Sequence, residues 1–328
     1  MDKTTKIRAL SCIICVGFIV ALVFHYIMGA YFHLPVPYNT FTSVPRLEPF
    51  TDFTGLINYL KKSAPFAHPN IWVNYFPLAY IFLSPFTLIK NELISYSIYF
   101  STFLFFWIYI NVKVLRCKNL SKLENFQNMF FLVFLSYPFI ILFDSGNFDM
   151  MIFLFISAFI YFFKSKKFLI SAIFIALANA IKPFTWIFLI IFLFEKKYKE
   201  LILSIILSIL LIFGGFMVLK DGFFTQVKVL LINLNLTKKF YIYSTDGGLS
   251  GNSSSLFMSL KTLNDLFKPH FYVKIPVLIN ICKYIGLIVT SSSIFFAWKE
   301  KVFWKKVALL TFCMLTLSFM IRLPRRAY

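Results

Sequence analysis

Two carboxylates and an amide lie between two strongly apolar runs near the middle of the chain. Residues 144–149 are DSGNFD, preceded by FFLVFLSYPFIILF and followed by MMIFLFISAFIYFF. Asp144, Asn147 and Asp149 could line a polar cavity and orient a ligand there. The same residue types also form an ordinary turn around Gly146 that caps a helix. Both interpretations are open from the sequence.

A lysine interrupts the apolar region that follows. Lys182 stands beside Pro183 in the run AIKPFTWIF. An ammonium group in hydrocarbon is costly, and ionisable residues inside membrane segments usually mark a function. Lys182 is therefore predicted to bind the phosphate or pyrophosphate of a lipid. The alternative is a lysine whose long stem lets its charge reach the membrane surface.

A third candidate group, Asp52, lies earlier in the chain. Residues 50–62 are FTDFTGLINYLKK, in which apolar residues recur every three or four positions. This spacing predicts an amphipathic helix lying on a membrane surface. Asp52 begins that helix, where a carboxylate is either a plain N-cap or a general base directed into a cavity. Glu48 is the nearest rival carboxylate.

The composition indicates which elements must position these groups. Of 328 residues, 59% are hydrophobic and 14% are charged, and Phe alone contributes 45. A soluble domain could not cover its surface with polar groups at that balance. The net charge of +20 comes largely from lysines and arginines in short loops, the pattern of cytoplasmic loops rather than of nucleic-acid binding. The sequence therefore predicts an all-α polytopic membrane protein, with membrane lipids as partners and no nucleic acid.

Apolar runs predict about nine or ten spanning or embedded helices. We place them at residues 9–32, 71–89, 93–112, 126–143, 150–163, 168–181, 184–194, 201–219, 274–298 and 302–321. Several are too short to cross a bilayer, which predicts a cavity at their ends. Four histidines and five cysteines show no spacing typical of metal ligands, so no metal is predicted.

The basic loops determine the predicted orientation. With the N-terminus in the cytoplasm, strict alternation would place every later basic loop outside. The segment 71–89 contains two prolines, so we interpret it as re-entrant or kinked rather than spanning. Residues 33–70, the turn at 144–149 and a long loop at 220–273 are then predicted to face outside. Interfacial helices are expected in the first and last of these regions.

The order of these motifs resembles the GT-C glycosyltransferases, particularly glycosyltransferase family 87. The similarity is carried by the Gly-Asn turn, the basic hairpin KSKK, the small-residue helix ending in Lys-Pro, and GNSSSLFMSLKTL in a late loop. The stretch NYFPLAYIFLSP resembles the family's Tyr-x-Pro-rich segment and adds Tyr75 to the candidate substrate-binding residues. Leu78 and Ser145 depart from the family pattern. The resemblance covers roughly residues 45–265.

The resemblance implies a single GT-C-like membrane domain over residues 1–328, with a C-terminus expected to be shorter than in relatives. It also implies transfer of a hexose, mannose favoured, from a polyprenyl-phosphate sugar to a glycan or glycolipid acceptor on the outer face of a bacterial plasma membrane. Asp52 would be the catalytic base, with inversion at the anomeric carbon and no cofactor beyond the lipid-linked donor. The alternative function is transport or flipping of a lipid-linked saccharide.

Overall fold

The computed structural model describes most of the chain. The described residues are 3–31, 50–70, 73–115, 120–131, 142–143, 146–219, 222–243, 260, 264 and 273–321. All regular secondary structure within these ranges is helical. Three predicted features lie wholly or mostly outside them: the carboxylate Asp144, the carboxylate Glu48 that is the rival of Asp52, and the interfacial helix expected in the loop at 220–273.

The described helices fall into two compact units. The first unit contains Met1–Ala64 and Ala79–Phe174, and the second contains Pro65–Leu78 and Ile175–Tyr328. The prediction of a single domain stays a prediction. In chain order the helices begin with α1 Lys3–His25, α2 Thr51–Lys62, α3 Pro77–Leu83, α4 Glu92–Leu115, α5 Lys122–Met129 and α6 Asp149–Lys164. They continue with α7 Phe168–Asn179, α8 Leu189–Phe194, α9 Tyr198–Val218, α10 Phe223–Tyr243, α11 Ile275–Lys299 and α12 Phe303–Ile321.

Three helices in the described ranges are long and apolar enough to cross a bilayer: α4, α9 and α11. The 21 residues of α9 rise about 31 Å, which matches the ~30 Å hydrocarbon core. Large apolar side chains cover their outer faces; Ile288 of α11, for example, is 66% exposed. An all-helical polytopic membrane protein is therefore confirmed. The cytoplasmic N-terminus and the bacterial plasma membrane stay predictions.

The shorter helices agree with the sequence in length. α6 has 16 residues and α7 has 12, so neither spans ~30 Å as a straight helix. The segment predicted to be kinked is divided into α3 and a 3-10 helix at Ser84–Leu88. Pro77 begins α3, and Pro85 lies in the first turn of the 3-10 helix, where its missing N–H breaks the α-helical ladder. Its re-entrant position stays a prediction.

One predicted loop is wrong in its first part. Residues 223–243, assigned from sequence to a long outer loop, form α10. Its Gln226 and Asn233 side chains are fully buried, whereas Phe224 is 85% exposed. Polar residues and three lysines lower the hydropathy of this stretch, so a run of apolar residues does not reveal the helix. Leu230 is buried as well, so packing against other helices, rather than the polarity of one face, decides which residues of α10 are interior.

Candidate active site

Helix α2 positions Asp52. The amphipathic pattern at 50–62 is confirmed, because Phe53, Leu56 and Ile57 are buried along one face. The interpretation of Asp52 as an N-cap is wrong: Phe50 is the N-cap residue, and Asp52 is the second residue of the helix. A carboxylate in the first turn is still favoured by the helix dipole. Its side chain is therefore available for a contact outside its own helix.

That contact is with the turn before α6. The Nδ2 amide of Asn147 donates a hydrogen bond of 2.8 Å to Oδ2 of Asp52, across 95 residues of chain. The Oδ1 atom of Asn147 accepts a 2.8 Å hydrogen bond from the backbone N–H of Asp149. Both ends of the amide are thus used, which fixes the Asp52 carboxylate relative to the start of α6. All three side chains are half-buried.

Gly146 allows this close approach. Its φ is +67°, in the left-handed region that glycine adopts readily. A Cβ built on Gly146 would lie 2.9 Å from Cβ of Phe53 and 3.2 Å from Cβ of Phe50. The backbone of the turn therefore packs directly on α2. A side chain at 146 would push Asn147 away from Asp52.

Gly146→Ala is expected to destabilise the protein, since a left-handed alanine alone costs about 1–3 kcal/mol and the contact with Phe53 adds to it. Gly55→Ala is the matched control, because it lies inside α2 with nothing within 4 Å of its Cβ position. An alanine there should stabilise the helix by about 0.5–1 kcal/mol. Thermal unfolding of the two detergent-purified variants measures the difference. Equal unfolding temperatures would contradict the packing of the turn on α2.

Aromatic residues of α4 pack against the start of α2 and the residues before the turn. Tyr96 of α4 donates a 2.6 Å hydrogen bond to the backbone oxygen of Phe143, and its ring stacks on Phe50 at 3.8 Å. Tyr99, one turn on, stacks on Phe53 at 4.9 Å. The Tyr99 hydroxyl is buried and finds no hydrogen-bond partner among the described residues. Sequence reasoning missed both tyrosines, although their spacing puts them on one helix face.

Lys182 and Tyr75 form a second group, within the second unit. Lys182 is only 8% exposed. Its Nζ lies 4.4 Å from the centroid of the Tyr75 ring and 5.6 Å from that of Phe184. Both distances suit a cation–π interaction, which gains strength when the cation is desolvated. Lysine and tyrosine, separately predicted to bind substrate, are thus in contact.

A chain of hydrogen bonds between buried polar side chains fixes the backbone of Lys182. Its carbonyl oxygen accepts a 2.8 Å hydrogen bond from Oγ1 of Thr185, whose hydroxyl also lies 2.8 Å from Oδ1 of Asn179. The Asn179 amide in turn donates to Ser208 of α9 at 3.2 Å. The Asn179 and Thr185 side chains are fully buried. None of these residues was predicted from the sequence, although a polar residue isolated in an apolar helix is a signal that could have identified them.

The Tyr75 segment is fixed by two further contacts. The backbone N–H of Phe76 donates a 3.1 Å hydrogen bond to the carbonyl of Ile181. Pro77 packs on Gly215 of α9, where an added Cβ would lie 2.8 Å from Cβ of Pro77. The ring of Tyr75 is therefore held beside Lys182 by the backbone as well as by its own contact.

The described residues thus form a multi-pass helical membrane protein, with an anchored carboxylate in the first unit and a buried lysine in the second. The chain belongs to glycosyltransferase family 87, whose model matches residues 72–323. It is therefore a membrane glycosyltransferase. The matched range includes Tyr75, the 144–149 turn and Lys182, and it begins after Asp52. The comparisons with curated proteins and with solved structures gave no match.

Proposed function

We propose that this chain transfers a hexose, mannose favoured, from a polyprenyl-phosphate sugar to a glycan or glycolipid acceptor on the outer face of the membrane. The observation that carries the proposal is the hydrogen bond from Asn147 to Asp52. A family model supplies the reaction class, and this contact supplies a positioned carboxylate. The family match also favours a transferase over the transporter or flippase considered from sequence.

Asp52 is the general base of the proposed reaction. Its carboxylate takes the proton of the acceptor hydroxyl as that oxygen attacks the anomeric carbon. The bond between the anomeric carbon and the phosphate oxygen breaks, and the electron pair leaves with the polyprenyl phosphate. One displacement of this kind inverts the anomeric centre. The amide of Asn147 supports this role because it holds the carboxylate in one orientation.

Lys182 binds the phosphate of the donor in this proposal. Negative charge gathers on the leaving phosphate, and a positioned cation stabilises that charge more than it stabilises the bound donor. The Tyr75 and Phe184 rings support the assignment, since they hold the ammonium in a site with little water. Asp149, together with Asp144 of the same turn, is assigned to the sugar hydroxyls. The scheme requires no cofactor other than the lipid-linked donor.

The test is transfer by the purified full chain in sealed proteoliposomes, with vesicle orientation measured separately. Radiolabelled polyprenyl-phosphate mannose and polyprenyl-phosphate glucose are compared as donors, with a membrane-impermeant glycan as acceptor. We expect labelled product from the vesicle population whose predicted outer face is accessible. Movement of donor between leaflets without product would favour the flippase alternative. If neither donor yields labelled product, the proposed donor class is contradicted.

A further inference from the structure

A groove of about 660 Å³ lies between the end of α8, the start of α9 and the last turns of α11. This volume is within the range of small-molecule sites. Its walls are mainly apolar, with Phe194 and Phe295 among them, and Lys196 is the charged residue of its lining. All of its lining residues belong to the second unit. None of the residues assigned above to transfer lines it.

The ends of two long apolar helices put the groove where lipid headgroups are expected. α9 begins at Tyr198 and α11 ends at Lys299, and both helices are long enough to span a membrane. The groove is therefore at one end of two spans. Trp298 and Tyr198 line it and are 61% and 54% exposed. Tyrosine and tryptophan concentrate at this level of a bilayer, because one edge of the ring is polar and the body is apolar.

The surrounding charge is strongly positive. Residues 195–200 and 299–306 together contain seven lysines and three glutamates. Two of the glutamates contact lysines that do not line the groove: Glu195 is bonded to Lys306, and Glu300 lies 3.8 Å from Lys305. The ammonium of Lys299 lies 4.6 Å from the ring of Phe295, a wall of the groove. Positive charge thus surrounds the polar end of an apolar groove.

We propose that this groove binds an anionic phospholipid, with an acyl chain along Phe194 and Phe295 and the phosphate headgroup at Lys196. Apolar walls match an acyl chain, and clustered lysines match an anionic headgroup of the adjoining leaflet. A zwitterionic lipid has the acyl chain that matches the apolar walls, but it lacks the net negative charge that matches the lysines. The site is separate from the proposed donor site at Lys182, so it does not rest on the proposed function.

The backbone of Lys196 makes a clean test possible. Its φ is 55°, in the turn closed by the hydrogen bond from Lys197 N–H to Phe192 O. Glycine is the residue most often found in this position, so Lys196→Gly removes the charge and keeps the turn. Lys166 has φ 60° in the equivalent turn after α6, closed by the bond from Lys167 to Phe162. Lys166→Gly is therefore a control matched in charge and backbone.

The experiment titrates the detergent-purified full chain with phosphatidylglycerol carrying a brominated acyl chain, which quenches nearby tryptophan fluorescence. Phosphatidylcholine with the same chain is the second probe. The signal of Trp298 is the difference between the native chain and Trp298→Phe. We expect quenching of Trp298 at lower concentrations of phosphatidylglycerol than of phosphatidylcholine. Lys196→Gly should weaken phosphatidylglycerol binding about fivefold, the contribution of one lysine near a charged membrane surface, and Lys166→Gly should leave it unchanged.

Three results would overturn the proposal. Equal affinity for the two lipids would mean that the groove holds any acyl chain. Equal weakening by Lys196→Gly and Lys166→Gly would mean that overall charge, rather than this site, attracts the lipid. If Trp298 is not quenched and mass photometry shows that the protein is a dimer, the groove would be assigned to a second copy of the chain. Thermal unfolding of each glycine variant confirms that the protein remains folded.

Discussion

Asp52→Asn is expected to lower transfer by about 10²–10⁴-fold, the usual effect of losing an acid–base group, and to leave donor binding intact. Asparagine is nearly the same size, and its side-chain oxygen can still accept the hydrogen bond from Asn147. The N-cap of α2 is Phe50, so the substitution does not remove a cap. Transfer rate at saturating donor, together with donor affinity, separates a loss of chemistry from a loss of binding.

The matched control is Glu92→Gln. Glu92 also accepts a hydrogen bond from an asparagine amide, at 2.8 Å from Asn58 of the same helix α2, but it lies at the exposed start of α4. Its loss should leave turnover near that of the native chain. Glu48→Gln tests the rival carboxylate in the same assay. Near-native turnover of Asp52→Asn, on protein with a native unfolding temperature, would rule out Asp52 as the base.

Lys182→Met is expected to weaken binding of a polyprenyl-phosphate sugar about ten- to a hundredfold. A hydrogen bond to a charged group contributes roughly 1.5–3 kcal/mol, and methionine keeps the apolar stem while removing the ammonium. The Tyr75 and Phe184 rings would then contact an uncharged side chain. The measurement is donor affinity by equilibrium binding, with polyprenyl phosphate alone as a second ligand, because the lost contact is to the phosphate.

Lys164→Met is the control for Lys182→Met, because Lys164 is exposed at the end of α6 in the basic hairpin. It should bind donor as the native chain does. Lys182→Arg keeps the positive charge and should recover part of the affinity, which separates a charge effect from a packing defect at this buried position. Equal donor affinity of the native chain, Lys182→Met and Lys164→Met would show that Lys182 does not bind the phosphate.

Much of the architecture could be predicted from the sequence, because it depends on properties that each segment carries alone. Hydropathy identified the spanning helices α4, α9 and α11, since crossing hydrocarbon requires a continuous apolar run. Local periodicity identified α2, and prolines identified the break between α3 and the following 3-10 helix. Helix α10 was missed because its lysines and polar residues interrupt the apolar run. Only packing against other helices buries its Gln226 and Asn233.

By itself, the sequence determined that this is a helical membrane protein with polar groups at Asp52, at the 144–149 turn and at Lys182. Only the tertiary structure decided which of them meet. The contact between Asp52 and Asn147 joins positions 95 residues apart and depends on a glycine at 146 that lets two backbones approach. Lys182 meets Tyr75 because a backbone hydrogen bond from Phe76 to Ile181 aligns their segments. Such contacts are set by the packing of distant segments, which no local pattern of residues encodes.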